Sequence, residues 1–504
     1  MSAPANNSPY TTDVRYESQF GVLQAPLHMK IAAGLRGWRS PDPCQPFEFL
    51  DVGCGDGQTI TLLAAAYPHA RFIGFDINSE HLAIARRRAE DSGLENVELV
   101  EGDVLDLQHK IRGNFDFAST VGTYAWLDDD RKSSVRRFLA ARAKPGALIL
   151  IDYAALPGSA ASDVLYELLR RKSEAVPGNS LERLYAASMD LAELAKSGAT
   201  FFEHHPTARS RLDNLVGQNL ANEAHEVFNL SRGLWFADVA RDMKAEGLSW
   251  GNTGRLTHVY PEFVLQPSLM SADRDVAGEA FQLDLDVALN TAYRADIFVA
   301  AGPKRTSLAE ALSNVRVMDI SGAATRRLEA LVQKATWLDR KAMFSAVGAL
   351  TEESVTVGEL HDHLRACGYQ ATPVIGRLIA ASILRPTLSP PKTPTMASGQ
   401  WRLPIKYNRD VIEQDVAALH PRVLASPVAG TGVNLPLVDR LTLLAMTGGD
   451  VAKAYASIQA AGLSTRAAFG DGVVGFERTL ARLVDQFSKG AAGRLVSMGV
   501  LDRV

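Results

Sequence analysis

Hydrophobic and polar positions divide this chain of 504 residues into two halves at about residue 302. Short apolar runs bounded by turn formers read as buried strands, and apolar residues spaced three and four apart read as helices. In the first half the two patterns alternate. Residues 47–52 read as a strand, 59–66 as a helix, 71–75 as a strand ending at Asp76, 80–92 as a helix, and 96–100 as a third strand. Asn78 or Ser79 is placed to cap the second of these helices, and Gly93 to stop it. Residues 115–120 and 147–153 give a fourth and fifth strand. Alternation at this spacing predicts an α/β fold built on a parallel, doubly wound, Rossmann-like sheet. Ahead of it, residues 10–40 carry Tyr10, Tyr16, Phe20, Pro26 and Trp38 with a weakly helical pattern, and read as an N-terminal lid or helix.

The alternation then breaks. Residues 156–233 read almost wholly as helix, an insertion long enough to be functional or interfacial. A helix at 236–246, an extended stretch at 248–252 and a last strand at 295–301 follow, with a second, irregular insertion over 255–290. The turn at 302–305 closes a first domain of residues 1–302. Residues 306–406 read as a mainly helical, winged-helix-like middle domain, its helices followed by a proline-rich loop over 385–399 and a short extended stretch at 400–405 that completes it. Residues 407–504 read as a mostly helical C-terminal domain without a recognisable chemical motif.

Composition changes this picture little. With 46% hydrophobic and 22% charged residues, it is that of a soluble globular protein. A net charge of −4 gives no global attraction to nucleic acid or anionic lipid. Residues 336–406 hold 8 Lys and Arg against 5 Asp and Glu, so the winged-helix-like region is expected to contact protein and not nucleic acid. Cys44, Cys54 and Cys367 are too few and too far apart for a disulfide framework or a metal cluster. The first twenty residues lack the regions of a signal peptide, and no apolar run approaches a membrane span. A cytoplasmic protein without membrane insertion is expected.

The candidate chemistry lies in the turn after the first strand. Gly53, Gly55 and Gly57 remove Cβ atoms where a strand meets a helix N-terminus, so the backbone can approach a ligand and present N–H groups. Dinucleotides and S-adenosylmethionine both use such turns. The dinucleotide spacing G-x-G-x-x-G would need glycine where Gln58 stands, which weighs against NAD or FAD. Asp76, at the end of the second strand, suits a ribose for either ligand. Asp103, after the third strand, would sit beside an adenine ring and offer its carboxylate or backbone to the exocyclic amine. Together with Asp51, these are three acids at strand ends around one crevice. Asp128, Asp129 and Asp130 precede a helix and read as N-terminal capping, not as a metal site. His225 and Glu226 are adjacent on a helix and so are not expected to act as a joint dyad. Arg294 and Asp296 read as a buried ion pair.

This set of motifs resembles class I S-adenosylmethionine-dependent methyltransferases, whose first motif is similar to residues 50–57. The resemblance implies a seven-stranded sheet closed by an antiparallel hairpin. It also implies cofactor contacts from Tyr16, Asp51, Gly53, Cys54, Gly55, Asp76, Ile77, Gly102, Asp103, Val104 and Gly122, with S-adenosyl-L-methionine as cofactor. Further stretches resemble bacterial protein-lysine methyltransferases that carry a methyltransferase regulatory domain, a group including enzymes acting on rickettsial outer-membrane protein. They are Tyr16 to Phe20 with Pro26, Val121 to Trp126, Ile151 to Gly158, His225 to Asn229, Trp235 to Asp238, and Tyr293 to Phe298. Val121, Ala154 and Ser159 depart from that group's His, Asn and Trp, close to where a methyl acceptor would enter.

The resemblance points to a lysine side chain of a protein as acceptor. An aromatic channel would lower the ammonium pKa by desolvation and tolerate the cation through its rings. Tyr124, Trp126 and Tyr153, following the fourth and fifth strands, are the candidates for that channel. Tyr10 and Tyr16 could close over the cofactor as a lid or, equally, serve as N-terminal anchors. A small-molecule O- or N-methyltransferase, with the insertion as a cap, is the alternative. An acidic-rimmed groove would favour the protein acceptor and a sealed apolar cavity the metabolite. A non-catalytic binding module on the same fold is a third reading. The helical insertion is also a candidate homodimer interface.

Overall fold

The computed structural model describes residues 10, 11, 13–17, 19–217, 220–229, 232–266, 278–302, 305–319, 323–335, 338–350, 354–393, 400–414, 422–460 and 472–503. Part of the second insertion (267–277), the middle of the boundary turn (303–304) and the last part of the proline-rich loop (394–399) lie outside the described residues.

Seven strands form the expected sheet: β1 Glu48–Val52, β2 Arg71–Asp76, β3 Val97–Glu101, β4 Phe115–Thr120, β5 Ala143–Ala154, β6 Leu248–Thr253 and β7 Tyr293–Ala300. Their order is β3-β2-β1-β4-β5-β7-β6. The first five run parallel, and β7 runs antiparallel to both β5 and β6. The central strands are buried on both faces, which is why they read as continuous apolar runs.

Alternate residues feed opposite cores. Ile149, Ile151 and Tyr153 of β5 join Leu50, Ile73, Phe298 and Tyr124 on one face. Leu148 and Leu150 join Phe49, Phe72 and Ile297 on the other. That second face is covered by α1 (Pro26–Gly34) and α2 (Gln58–Ala66). Proline at the first helical position starts α1, where its missing N–H costs no helical bond. Asn78 caps α3 (Ser79–Asp91) by accepting from the Glu80 and His81 amides. Asp128 likewise caps helix Asp129–Arg142 by accepting from the Arg131 amide, which is the role expected of this acidic run.

The first insertion is helical, as predicted. Helices Ala160–Ser173, Ser180–Lys196, Thr200–His204, Pro206–Gly217 and Ala221–Phe228 enclose a core of their own around Leu165, Leu169, Leu184, Leu191 and Leu212.

The second half differs from the sequence reading in two places. The middle unit holds strands β8 Arg316–Met318, β9 Val355–Thr356 and β10 Arg385–Thr387, ordered β10-β8-β9, against four helices between residues 324 and 380. The extended stretch after the proline-rich loop was expected to complete this unit. Instead β11 (Trp401–Arg402) pairs with a strand at the opposite end of the C-terminal unit, and Leu403 is buried with Leu441, Phe476 and Leu495. The last unit is also not purely helical. β12 (Arg422–Ser426) and β13 (Thr431–Leu435) form an antiparallel hairpin, and β14 (Asp502–Arg503) is the partner of β11. The hairpin leans on the sheet domain, where the Tyr67 hydroxyl donates to the Gly430 carbonyl at 2.6 Å. The α1 helix and its C-cap span the other junction: Leu27, Ile31 and the capping Leu35 pack into the middle unit's core with Leu312, Leu328 and Ile375. Among the described residues no helix is long and apolar enough to cross a membrane.

Candidate active site

The turn from β1 into α2 holds all three alternate glycines at positive φ: +85° at Gly53, +55° at Gly55 and +74° at Gly57. Only glycine adopts this region without strain. A Cβ at Gly53 would lie 2.0 Å from Thr123 Oγ1, and one at Gly57 2.6 Å from the Ala85 Cβ. The turn is fastened to the end of β2. The Gly53 and Cys54 amides donate to the Phe75 carbonyl at 2.7 and 3.1 Å, and the Gly55 amide donates to Asp76 Oδ2 at 2.8 Å. Asp76 Oδ1 accepts from the Asn78 amide at 2.8 Å. Burial raises the Asp76 carboxyl above the usual carboxylate range despite these bonds and the nearby His81. Asp51 is more enclosed. It accepts from Ser119 Oγ at 2.7 Å and Gln24 Nε2 at 3.0 Å, and desolvation pushes its carboxyl up to about 6.

These groups open onto a cavity of about 540 Å³ at the carboxyl ends of the parallel strands. That is where ligands bind in open α/β sheets, and the volume is that of a small-molecule site. Tyr16, Asp51, Gly53, Cys54, Gly55, Asp76, Ile77, Gly102, Val104 and Gly122 all line it. Asp103 does not. Its carboxylate is held by Arg131, whose Nε and Nη2 approach to between 2.8 and 3.2 Å, and it caps the following turn through the Leu105 amide. Its neighbours Gly102 and Val104 present the wall at this point.

The roof is the N-terminal segment, pinned to both halves of the domain. Tyr16 N donates to His81 Nε2 at 3.2 Å and Gly21 N to Thr59 Oγ1 at 3.0 Å. On the insertion side, Thr11 N donates to Asn229 Oδ1, Glu17 N to Asn222 Oδ1, and Ser180 N and Oγ to Asp13, all at 2.7–2.8 Å. Tyr10 and Tyr16 both line the cavity.

Helix Ala221–Phe228 supplies the facing wall. His225 Nε2 lies 2.9 Å from the Val14 carbonyl, and the Trp126 indole stacks on the His225 ring with centroids 6.0 Å apart. Tyr16 meets both rings edge-on. Trp126 Nε1 donates to Glu226 Oε2 at 3.1 Å. His225 is buried, and desolvation lowers its pKa, which fits a neutral ring donating to a carbonyl. Five carboxylates line the cavity (Glu17, Asp51, Asp76, Glu223 and Glu226) against one guanidinium, that of Arg211.

Of the three aromatic residues expected to form the acceptor channel, only Trp126 lines the cavity. Tyr153 points to the opposite face of β5, where its hydroxyl donates to Asp296 at 2.7 Å. Tyr124 is buried in that same core, its hydroxyl 2.9 Å from Arg136 Nη1. Strand alternation is the cause: Asp152, not Tyr153, shares the face of Leu148 and Leu150. Gln24, Asp152 and Tyr293 received no site role from the sequence, although the last two fall in the stretches Ile151 to Gly158 and Tyr293 to Phe298. Asp152 accepts from the Gly122 amide at 2.6 Å and from the Tyr293 hydroxyl. The period of two along β5 was the signal that could have found it. The Arg294–Asp296 pair is present and extends to Asp286 and Gln282.

Residues 49–146, the stretch that carries the glycine turn, Asp76 and Gly102, match a family described as a methyltransferase domain. These residues form a methyltransferase domain. Its cofactor is S-adenosylmethionine, and the residues present fit that group. The left-handed glycines bring backbone to the cavity floor, Asp76 reaches the wall, and a Cβ at Gly122 would meet open space. Among the described residues no cluster suited to a metal ion occurs. An uncharacterized protein of Synechocystis is 27% identical over 451 residues, 87% of this chain and 88% of that one. Another, of Rickettsia prowazekii, is 26% identical over 154 residues, 31% of this chain and 27% of that one. PKMT2 from Rickettsia typhi, solved in complex with AdoHcy, shares the fold of this methyltransferase along nearly its whole length. Its TM-score is 0.67 at 15% identity, covering 96% of this chain and 99% of that one.

Proposed function

We propose that this methyltransferase transfers methyl groups to lysine side chains of a protein. The lining of the cavity carries the reading: the carboxylates Glu17 and Glu226, with Glu223 paired to Arg211, line the same cavity as the rings of Tyr16 and Trp126. Such a wall attracts a cation and strips its water. A sealed apolar pocket, the expectation for a neutral metabolite, would lack those charges. The full-length likeness to PKMT2, and the motif resemblance to protein-lysine methyltransferases, support the same acceptor.

S-adenosylmethionine supplies a methyl group on a sulfonium, which an amine lone pair displaces in line with the bonding electrons leaving to sulfur. The chain contributes position and dryness. The glycine turn, Asp76, Ile77 and the Gly102–Val104 backbone hold the donor. The pinned N-terminal segment closes the roof, and helix Ala221–Phe228 forms the wall along which the acceptor enters. Tritiated S-adenosylmethionine incubated with the protein and host lysate tests the acceptor. Acid-precipitable label released as methyl-lysine on hydrolysis is the expected result, and label confined to small molecules would overturn the reading.

A further inference from the structure

Tyr293 opens β7 and lies on the face of the sheet occupied by Asp152, two residues out of register across the antiparallel β5–β7 pair. A diagonal of that kind is within reach of a long aromatic side chain. The Tyr293 hydroxyl is hydrogen-bonded to Asp152 Oδ2, while Asp152 Oδ1 accepts from the Gly122 amide at 2.6 Å. Gly122 and Tyr293 both line the cavity, whereas Asp152 is fully buried behind them. The buried acid therefore communicates with the cavity through the phenol.

We propose that Tyr293 and Asp152 form a proton relay that takes the proton from a cationic acceptor amine before methyl transfer. The proposal rests on the amine-acceptor reading above. An ammonium N–H bond breaks as an O–H bond forms on Tyr293, whose own proton passes to Asp152. The net change is one ammonium and one carboxylate converted into one neutral amine and one carboxylic acid. The freed lone pair forms the N–C bond as the C–S bond breaks, with its electrons going to sulfur. As the methylated amine leaves, the proton returns through Tyr293 to solvent.

The surroundings of the pair suit this cycle. Asp152 is flanked by Glu226 and Asp51 besides Tyr293, and burial with these charges pushes its carboxyl up to about 7. It is thus able both to gain and to lose a proton near neutrality. Tyr293 is 41% exposed as a whole, but its hydroxyl end faces Asp152, Glu226 and Tyr16, and desolvation there beside the two carboxylates raises the hydroxyl above the ordinary phenol range. It is a neutral conduit, not a standing phenolate. The negative surroundings come from three elements, Asp51 of β1, Asp152 of β5 and Glu226 of helix Ala221–Phe228, while the N-terminal segment adds the neutral Tyr16.

Sinefungin, which carries an amine where the transferable methyl stands, probes the relay without an identified acceptor. Calorimetry against AdoHcy is expected to show sinefungin favoured by about tenfold at pH 8. That preference should shrink below pH 7 as Asp152 takes up its proton. Tyr293→Phe should abolish the preference while AdoHcy affinity changes less than about twofold, because it leaves the Asp152–Gly122 bond in place. A wild-type preference that does not change with pH overturns the proposal whatever the variant does, and so does a Y293F protein that keeps the preference. If the lysate experiment labels no protein but does label a small-molecule amine while sinefungin behaves as described, the protein-lysine reading fails and the relay stands; label in no amine of either kind overturns both.

Discussion

Removing the Asp76 carboxylate isolates what the end of β2 contributes to cofactor affinity. In Asp76→Ala the Gly55 and Asn78 amides, bonded to it at 2.8 Å, lose their acceptor, and a ribose loses its charged partner. A hydrogen bond to a charged group contributes about 1.5–3 kcal/mol, so losing the ribose bonds alone should cost on the order of 3 kcal/mol, roughly 100-fold in Kd. Loosening of the glycine turn adds to this. Asp76 is partly exposed at the cavity edge, so the amides can turn to water and the fold should survive. Isothermal titration with AdoHcy measures the affinity, and a thermal melt reports the fold. Asp76→Asn, which keeps one acceptor and places an amide against the other N–H, should fall between wild type and alanine. Unchanged affinity in a folded Asp76→Ala protein would refute the placement of the ribose.

Three further outcomes follow from the same geometry. Arg294→Met leaves Asp286 and Asp296 buried without their guanidinium, and breaking a buried pair costs about 3–5 kcal/mol, so the melting temperature should drop sharply; a drop of under about 2 °C would contradict that network. The Asp51 carboxyl is raised to about 6, so the folded state binds more protons than the unfolded chain between about pH 4 and 6; this raises stability as pH falls through that window, and Asp51→Asn should flatten the slope in urea titrations. Asp13→Ala combined with Asn222→Ala releases the roof from the insertion, and stopped-flow release of AdoHcy should quicken several-fold; an unchanged off-rate would show that the segment does not gate the cavity.

The sheet was legible because parallel strands buried on both faces read as uninterrupted apolar runs, and the cofactor end was legible because left-handed backbone demands glycine at 53, 55 and 57. The acceptor side was less so. Tyr124 and Tyr153 have the chemistry of a channel, but which face they occupy depends on strand phase, and β5 starts at Ala143, four residues earlier than its apolar run suggests. Asp103 is likewise at the predicted loop, yet Arg131, 28 residues away, turns its carboxylate aside. The C-terminal strands β11 and β14 are two residues each and pair across 100 residues, so no local pattern marks them.

Phase along β5 explains more than one misplacement. Ile151 and Tyr153 project into the core beneath helix Phe236–Ala245, where Tyr153, Trp250 and Arg294 meet at Asp296. Asp152 projects the other way, into the face that β1 and the glycine turn share. The two acids thus divide the work of adjacent strands: Asp296 neutralises a buried arginine and joins β6 to β7, while Asp152 ties the Gly122 loop of β4 to Tyr293 of β7. A substitution that merely broke a structural tie at Asp152 would loosen Gly122 and weaken AdoHcy binding. One at Tyr293 removes the phenol and leaves the Gly122 bond standing. Affinity lost in both variants marks a strut, and affinity lost only at Asp152 together with altered pH dependence at Tyr293 marks a relay.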